Sequence, residues 1–414
     1  MASFRFLHAA DIHLDGPLAG LARRDRVPPH VTRDCTRRAF ANVIDLAIRQ
    51  DVAFVVIAGD LYDDDWKDFS TGLHFAHEMR RLARPCLIVR GNHDAASHIT
   101  RQLTLPENVH EFSSHRAETF RGLDALGVAV HGRSFPHRAV PEDLSHDYPH
   151  PLPGRLNIGV LHTSADDPGE HATYAPCTVA SLIAREYDYW ALGHIHERRV
   201  LHEQRPFVVF PGNTQGRSIR ETGAKGCTLV EVEDDRIVRL TAHATDVLRW
   251  AQVTVDAAGA QSRAELAARM RFALAEAEAG AEGRPLIARV ALQGTTPLHG
   301  ALLGDAEALD AECRAAAAAV SGDLHIERVR LATTSPASAA DTGDSVALLA
   351  AAFAAALDDP DTVERLLADF RKLVSEMPHL TNYKPADLPQ TAAALRDLAP
   401  DAWQMVAQML AGDA

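Results

Sequence analysis

The chain has no apolar run near the roughly 20 residues that a helical membrane span requires. No basic stretch near the N-terminus leads into a long apolar core, so no secretory signal is expected there. Cysteine is scarce: five residues, at 35, 86, 177, 227 and 313, odd in number and without CxxC spacing. That excludes a zinc ribbon, argues against a disulfide framework, and fits free thiols in a reducing cytoplasm. Positive charge is also short, since 42 Lys and Arg against 56 Asp and Glu leave a net −14. Such a balance argues against an indiscriminate nucleic-acid binder. Its distribution matters, however: from Ala301 to the end there are 18 acidic and 8 basic residues, whereas 23–38 carry six arginines against Asp25 and Asp34. That basic stretch reads first as a solvated face and second as a contact for a phosphate backbone. No internal repeat is present.

What the chain does have is a series of strand-like stretches that end in polar, chemistry-bearing residues. Gly91-Asn92-His93-Asp94 follows the run Cys86–Val89, and Asp11-Ile12-His13 follows Phe4–Ala9. Gly59-Asp60 follows Val52–Ala58, His162 ends Leu156–Leu161, and Gly193-His194-Ile195-His196 follows Tyr189–Leu192. Each of these stretches reads as a strand, and the unbroken apolar run Val52–Ala58 suits burial on both faces. Between them, Phe40, Val43, Ile44, Ala47 and Ile48 recur at helical spacing within 36–50, and a second helix is expected over Ser70–Arg84. Strand–helix–strand alternation implies an α/β domain, with two packed sheets flanked by helices. The Pro- and His-rich stretch 136–153, with His137, His146 and His150, repeats no ligand spacing and is expected to be a flexible surface loop.

At 414 residues the chain exceeds what one core usually serves. A second unit is expected from about Val247, with strands near Val253–Val255, Leu286–Leu292 and Leu324–Leu331 and helices over Arg263–Ala279 and Glu307–Val320. The Ser/Ala/Thr/Gly composition of Thr333–Asp344 suits a linker, and four helices are expected over Val346–Leu357, Thr362–Glu376, Thr391–Leu398 and Ala402–Leu410. The boundaries read as 1–246, 247–332, 333–344 and 345–414.

Asp, His and Asn at strand ends suit divalent ions such as Mn²⁺, Fe²⁺ or Zn²⁺. Asp11, His13, Asp60, Asn92, His162, His194 and His196 are too many ligands for one ion and enough for two, with Asp60 as the natural bridge. His93 is better kept out of coordination, as an imidazole that protonates a leaving group. Asp63, Asp64 and Asp65 read mainly as a solvated acidic loop, with Asp63 the candidate for a supporting place.

This ordered set resembles the calcineurin-like metallophosphoesterase superfamily over roughly residues 4–232. HAADIHLD and VRGNHD are similar to SbcD-type DNA repair nucleases, and PGNTQGRSIRETGAKG to their YhaO-type relatives. The resemblance implies a double β-sheet sandwich, a small α/β capping domain at 247–332, and a C-terminal helical region that docks a partner. It implies one metal on Asp11, His13, Asp60 and His196, another on Asp60, Asn92, His162 and His194, and His93 as the catalytic group. Some nucleases of this group carry a histidine where Asp63 stands, helping to orient the catalytic imidazole; here that help is absent or comes from a carboxylate. The expectation is a cytoplasmic, Mn²⁺-dependent DNA exonuclease or endonuclease subunit acting on DNA ends, with an SbcC-like coiled-coil ATPase as partner, homodimer formation open, and no membrane. The alternatives are a stand-alone phosphodiesterase or phosphatase for nucleotides or phosphoproteins, or a scaffold without catalysis.

Overall fold

A computed structural model describes residues 2–18, 27–63, 69–96, 104–166, 174–336, 344–376, 391–396, 399 and 402–403. Two compact units result: Met1–Gln252 with Ala277–Ala288 and Asp323–Glu327, and Val253–Glu276 with Arg289–Gly322 and Arg328–Ala414.

In chain order the first unit contains β1 (Phe4–Ala9), α1 (Pro29–Thr32), α2 (Cys35–Arg49), β2 (Phe54–Ala58), α3 (Phe69–Leu82), β3 (Cys86–Val89), α4 (Asn92–Ala96) and β4 (Val109–Glu111). It continues through β5 (Glu118–Phe120), β6 (Val128–Gly132), β7 (Leu156–His162), α5 (Val179–Ile183), β8 (Tyr189–Gly193), β9 (Arg199–His202), β10 (Phe207–Phe210), β11 (Gly226–Glu233) and β12 (Arg236–Ala244). These strands form two six-stranded sheets, ordered β12-β11-β1-β2-β3-β4 and β5-β6-β7-β8-β10-β9. In the first sheet β1 to β4 run parallel and β11 is antiparallel to β1. In the second, β6, β7, β8 and β10 run parallel. The architecture is the mixed α/β fold of two large sheets with helices that the strand pattern implies.

The alternation along β2 shows why its run is apolar throughout. Phe54, Val56 and Ala58 enter one core with Val130, Ile158, Val160 and Tyr189 of the other sheet. Val55 and Ile57 enter a second core with Phe40, Val43, Ile44 and Ala47 of α2 and Phe75 and Met79 of α3. Burial on both faces leaves no solvent side on which a polar residue would be cheap. All five cysteines are free and buried.

The stretch 136–153 differs from its expectation. Val140, Leu144 and Tyr148 are buried in a core with Trp190 and Leu192, and a short 3₁₀ turn spans Leu144–Asp147. The Tyr148 hydroxyl donates to Val160 O at 2.6 Å and accepts from Arg133 N at 3.1 Å, which pins the loop to β7. The apolar members, spaced among prolines and histidines, hold this segment down.

The three strands β13 (Arg249–Asp256), β14 (Leu286–Thr295) and β15 (Leu324–Thr334) form a sheet in that order, and each begins in the first unit and continues in the second. The second unit also carries α6 (Arg263–Ala279), α7 (His299–Gly304), α8 (Ala306–Val320), α9 (Asp344–Asp358) and α10 (Pro360–Glu376), although Ala277–Ala279 of α6 fall in the first. Val363 and Leu367 of α10 make a small core with Leu395, while Leu348 and Leu349 of α9 are 70% and 49% exposed. Of the expected linker, 337–343 lie outside the described residues, as does most of the last expected helix, including Val406 and Leu410. No described helix is long and apolar enough to cross a membrane.

Candidate metal centre

The parallel strands β1, β2 and β3 of one sheet and β7 and β8 of the other each deliver a polar residue at the C-terminal end. The loops after β1 and β2 are locked in register: Asp11 N donates to Gly59 O at 3.0 Å, His13 N to Asp60 O at 3.0 Å, and Leu14 N to Leu61 O at 2.9 Å. This ladder brings Asp11, His13 and Asp60 together with left-handed backbones, at φ of 51°, 46° and 51°. Asp94 ties in the loop after β3, because its carboxylate accepts from the backbone N–H groups of Leu61, Tyr62 and Gly91 at 2.8 to 3.1 Å. Burial, and then the nearby Asp60 charge, push the Asp94 carboxyl up to about 7 against those hydrogen bonds. Gly91 is needed for close approach, since a Cβ there would stand 2.2 Å from Asp60 Oδ1.

Three overlapping groups have ligand atoms within 4.8 Å of one another: Asp11, His13 and His196; Asp11, Asp60 and His162; and His13, Asp60 and His93. The donor chemistry of the first two fits cations. His162 Nδ1 lies 3.0 Å from Ala58 O and so donates to it, which leaves a lone pair on Nε2. That Nε2 faces Asn92 Oδ1 at 3.0 Å and Asp60 Oδ2 at 3.5 Å. His196 Nδ1 lies 2.8 Å from Glu221 Oε1 and donates to it, so its Nε2 is likewise a lone pair, 3.2 Å from His13 Nε2. Burial, and then the Arg217 charge, pull the His13 imidazole down to about 3, so it is neutral. Nε2 lone pairs on His162 and His196 beside buried carboxylates are an arrangement that a cation satisfies.

Electrostatics keep the carboxylates apart in character. Burial alone would raise Asp60, but His162, His13 and His93 outweigh it and hold its carboxyl well below the usual range. Asp11 is pushed up by burial despite His196 and His162, and both its oxygens accept from His194 N at 3.0 Å. His194 turns with φ 107°; its buried ring packs 5.2 Å from that of His162 and belongs to none of the three groups.

His93 shares a group with His13 and Asp60 but is more exposed than either. Its backbone N–H donates to Asp60 Oδ1 at 3.0 Å, and its side chain is 25% exposed. His93 Nδ1 lies 2.9 Å from Asp63 Oδ1, so the carboxylate that the acidic loop suggested as a support stands beside the imidazole. Burial of Asp63 is outweighed by His13, His93 and Arg217, which hold its carboxyl far below the usual range.

Two functional residues lie outside the reach of the strand-end rule. Glu221 orients His196, and burial of its carboxyl is overcome by that hydrogen bond, which brings it down to about 2. Arg217 Nη1 donates to Asp63 Oδ2 at 2.9 Å. Both belong to the loop after β10, where the stretch PGNTQGRSIRETG offers them as its charged members alongside Arg220. His137, His146 and His150 join no metal-binding group among the described residues.

Comparison with known proteins gives the following. A profile of the calcineurin-like phosphoesterases matches residues 4–198, and one of the middle domain of the metallophosphoesterase YhaO matches 250–334. The metallophosphoesterase YhaO of Bacillus subtilis is 35% identical over 309 residues, 72% of this chain and 73% of that protein. The DNA double-strand break repair protein Mre11 of Haloferax volcanii is 28% identical over 239 residues, 56% of this chain and about half, 52%, of the archaeal protein. Among solved structures, a dimetal phosphatase from Danio rerio is similar with a TM-score of 0.37 and 12% identity, over 59% of this chain and 97% of that one.

Proposed function

This chain belongs to the calcineurin-like phosphoesterase family, as a metallophosphoesterase of the YhaO type, and from that premise we propose that it hydrolyses phosphodiester bonds of DNA in repair. The observation that carries the reading is His93, held against Asp63 at 2.9 Å and standing with Asp60 and His13 within 4.8 Å. The similarity to an Mre11 protein supports DNA as the substrate over a nucleotide or phosphoprotein.

Asp11, His13, Asp60 and His196 would hold one divalent ion, and Asp60, Asn92, His162 and His194 a second, with Mn²⁺ the best match to a mixed oxygen and imidazole donor set. Bound ions supply Lewis acidity and lower the pKa of water, so that a nucleophile exists at neutral pH. The chain's own residues do the rest. Asp63 Oδ1 stands 2.9 Å from His93 Nδ1, an ion-pair contact that leaves Nε2 to carry the transferable proton. A proton held there passes to the leaving oxygen as the P–O bond breaks. Glu221 keeps His196 in the tautomer that carries its lone pair on Nε2.

The test is purified protein with Mn²⁺ on end-labelled single- and double-stranded DNA, beside bis-p-nitrophenyl phosphate. Metal-dependent cleavage of both DNA and the small diester is expected. Hydrolysis of phosphomonoesters with intact DNA would replace the nuclease reading by a phosphatase one.

The proposal includes a partner, an SbcC-like coiled-coil ATPase docked by the C-terminal helices. Its support is the exposure of Leu348 and Leu349 on a helix that follows a linker-like stretch. Truncation after Ser335 is expected to leave small-diester hydrolysis intact and to abolish association with the ATPase. Co-purification of the truncated chain at full stoichiometry would remove the docking assignment.

A further inference from the structure

Asp63 has two imidazoles competing for one of its oxygens. Oδ1 lies 2.9 Å from His93 Nδ1 and 3.7 Å from His13 Nδ1. A carboxylate in this place can satisfy either, and only one choice aims His93. Its other oxygen, Oδ2, is held by Arg217 Nη1 at 2.9 Å. We propose that Arg217 is the positioning residue that settles this competition, by clamping Asp63 so that Oδ1 meets His93. The inference rests on the reading of His93 as proton donor.

The loop that carries Arg217 is built to hold it. Arg217 N donates to Glu221 Oε2 at 2.6 Å, and Asn213 Nδ2 donates to the same oxygen at 2.8 Å. Trp250 Nε1 donates to Gly216 O at 2.9 Å, Gln215 Nε2 to Leu248 O at 2.9 Å, and Val247 N to Gln215 Oε1 at 2.9 Å. The arginine is therefore presented from a backbone fixed on both sides, with its side chain only 16% exposed. Gly16 leaves the room for the pair: a Cβ there would stand 2.6 Å from Asp63 Oδ2 and 2.8 Å from Arg217 Nη1. Its backbone is not left-handed, so alanine at 16 would act as a wedge in this ion pair.

A positioning role has a signature that simple structural damage lacks. Proton donation matters most for leaving groups that leave poorly as anions, following Brønsted behaviour. Arg217→Met is therefore expected to lower kcat on a poor-leaving-group diester or DNA by about 10²-fold, but on bis-p-nitrophenyl phosphate by only a few fold. KM and metal content should stay at wild-type values, because the lost interaction acts in the transition state alone. Arg217→Lys should recover part of the loss, since it keeps the charge without the planar fork. Gly16→Ala should reproduce the Arg217→Met pattern, and it serves if the arginine variant fails to fold. Equal losses on all leaving groups with a raised KM would make Arg217 a grip on substrate phosphate, and unchanged kinetics would also overturn the proposal.

A second readout needs no turnover. In the Zn²⁺-loaded protein, the Nδ1 proton resonance that disappears in His93→Gln is expected to move upfield and exchange faster in Arg217→Met. An unmoved resonance would overturn the proposal even if wild-type protein cleaved none of the esters, an outcome that would separately remove the hydrolase reading.

Discussion

Asp60→Asn is expected to abolish hydrolysis and to strip most bound metal from the protein. Asp60 is shared by two of the three groups and lies 3.5 Å from His162 Nε2 and 3.9 Å from His13 Nε2. Asparagine has almost the same volume and keeps an oxygen for the His93 N–H, so the fold of the loop should survive. What disappears is the negative charge, which stands in a buried place beside the His93 N–H. A buried pair of cations without that charge has no compensation for its desolvation. Elemental analysis and turnover at saturating Mn²⁺ check this together. Full activity at any metal concentration would take Asp60 out of the centre.

His93→Gln should behave in the opposite way with respect to metal. Bound metal is expected to stay at wild-type stoichiometry while diester hydrolysis falls by about 10²–10⁴-fold, the range for a lost general acid. The reason is position: Asn92, His162 and Asp60 face one another without it, and the His93 side chain stands 2.9 Å from Asp63. His196→Gln is the control, since it removes a lone pair 3.2 Å from His13 Nε2 and should weaken metal binding first. Metal loss in His93→Gln with full occupancy in His196→Gln would reverse the two roles.

Much of the fold is legible because buried parallel strands leave a distinctive trace. β1, β3 and β10 begin and end where the strand pattern places them, at Phe4–Ala9, Cys86–Val89 and Phe207–Phe210. β12 leaves no such trace. It alternates Arg236, Arg239 and a half-exposed Val238 along the edge of its sheet, and partial burial does not require an apolar run. At the site, the strand-end residues are readable one by one, but their pairing is not. His162 meets Ala58 across 104 residues of sequence, and only the order of strands in the two sheets makes them neighbours. Arg217 and Glu221 follow no strand end directly, so the pattern that finds the ligands passes over the groups that aim them. His194 shows the reverse limit: its spacing to His196 is clear, but its turn at φ 107° and its packing 5.2 Å from the His162 ring are not readable from that spacing.

The left-handed backbones of Asp11, His13 and Asp60 have a consequence for how the protein can be improved or lost. Each such residue costs on the order of 1 kcal/mol relative to a relaxed backbone, somewhat less for aspartate, which tolerates this region better than most. Two of the three are also carboxylates buried beside each other, and a like-charge pair out of water adds to the cost. The metal-free fold is therefore weakest where its ligands stand, and metal binding restores stability by mass action. Selection for heat resistance in metal-depleted medium would tend to replace these aspartates by asparagine or glycine. Such variants would be sturdier and inert, so stability and activity pull in opposite directions at these loops while remaining independent in the sheets beneath them.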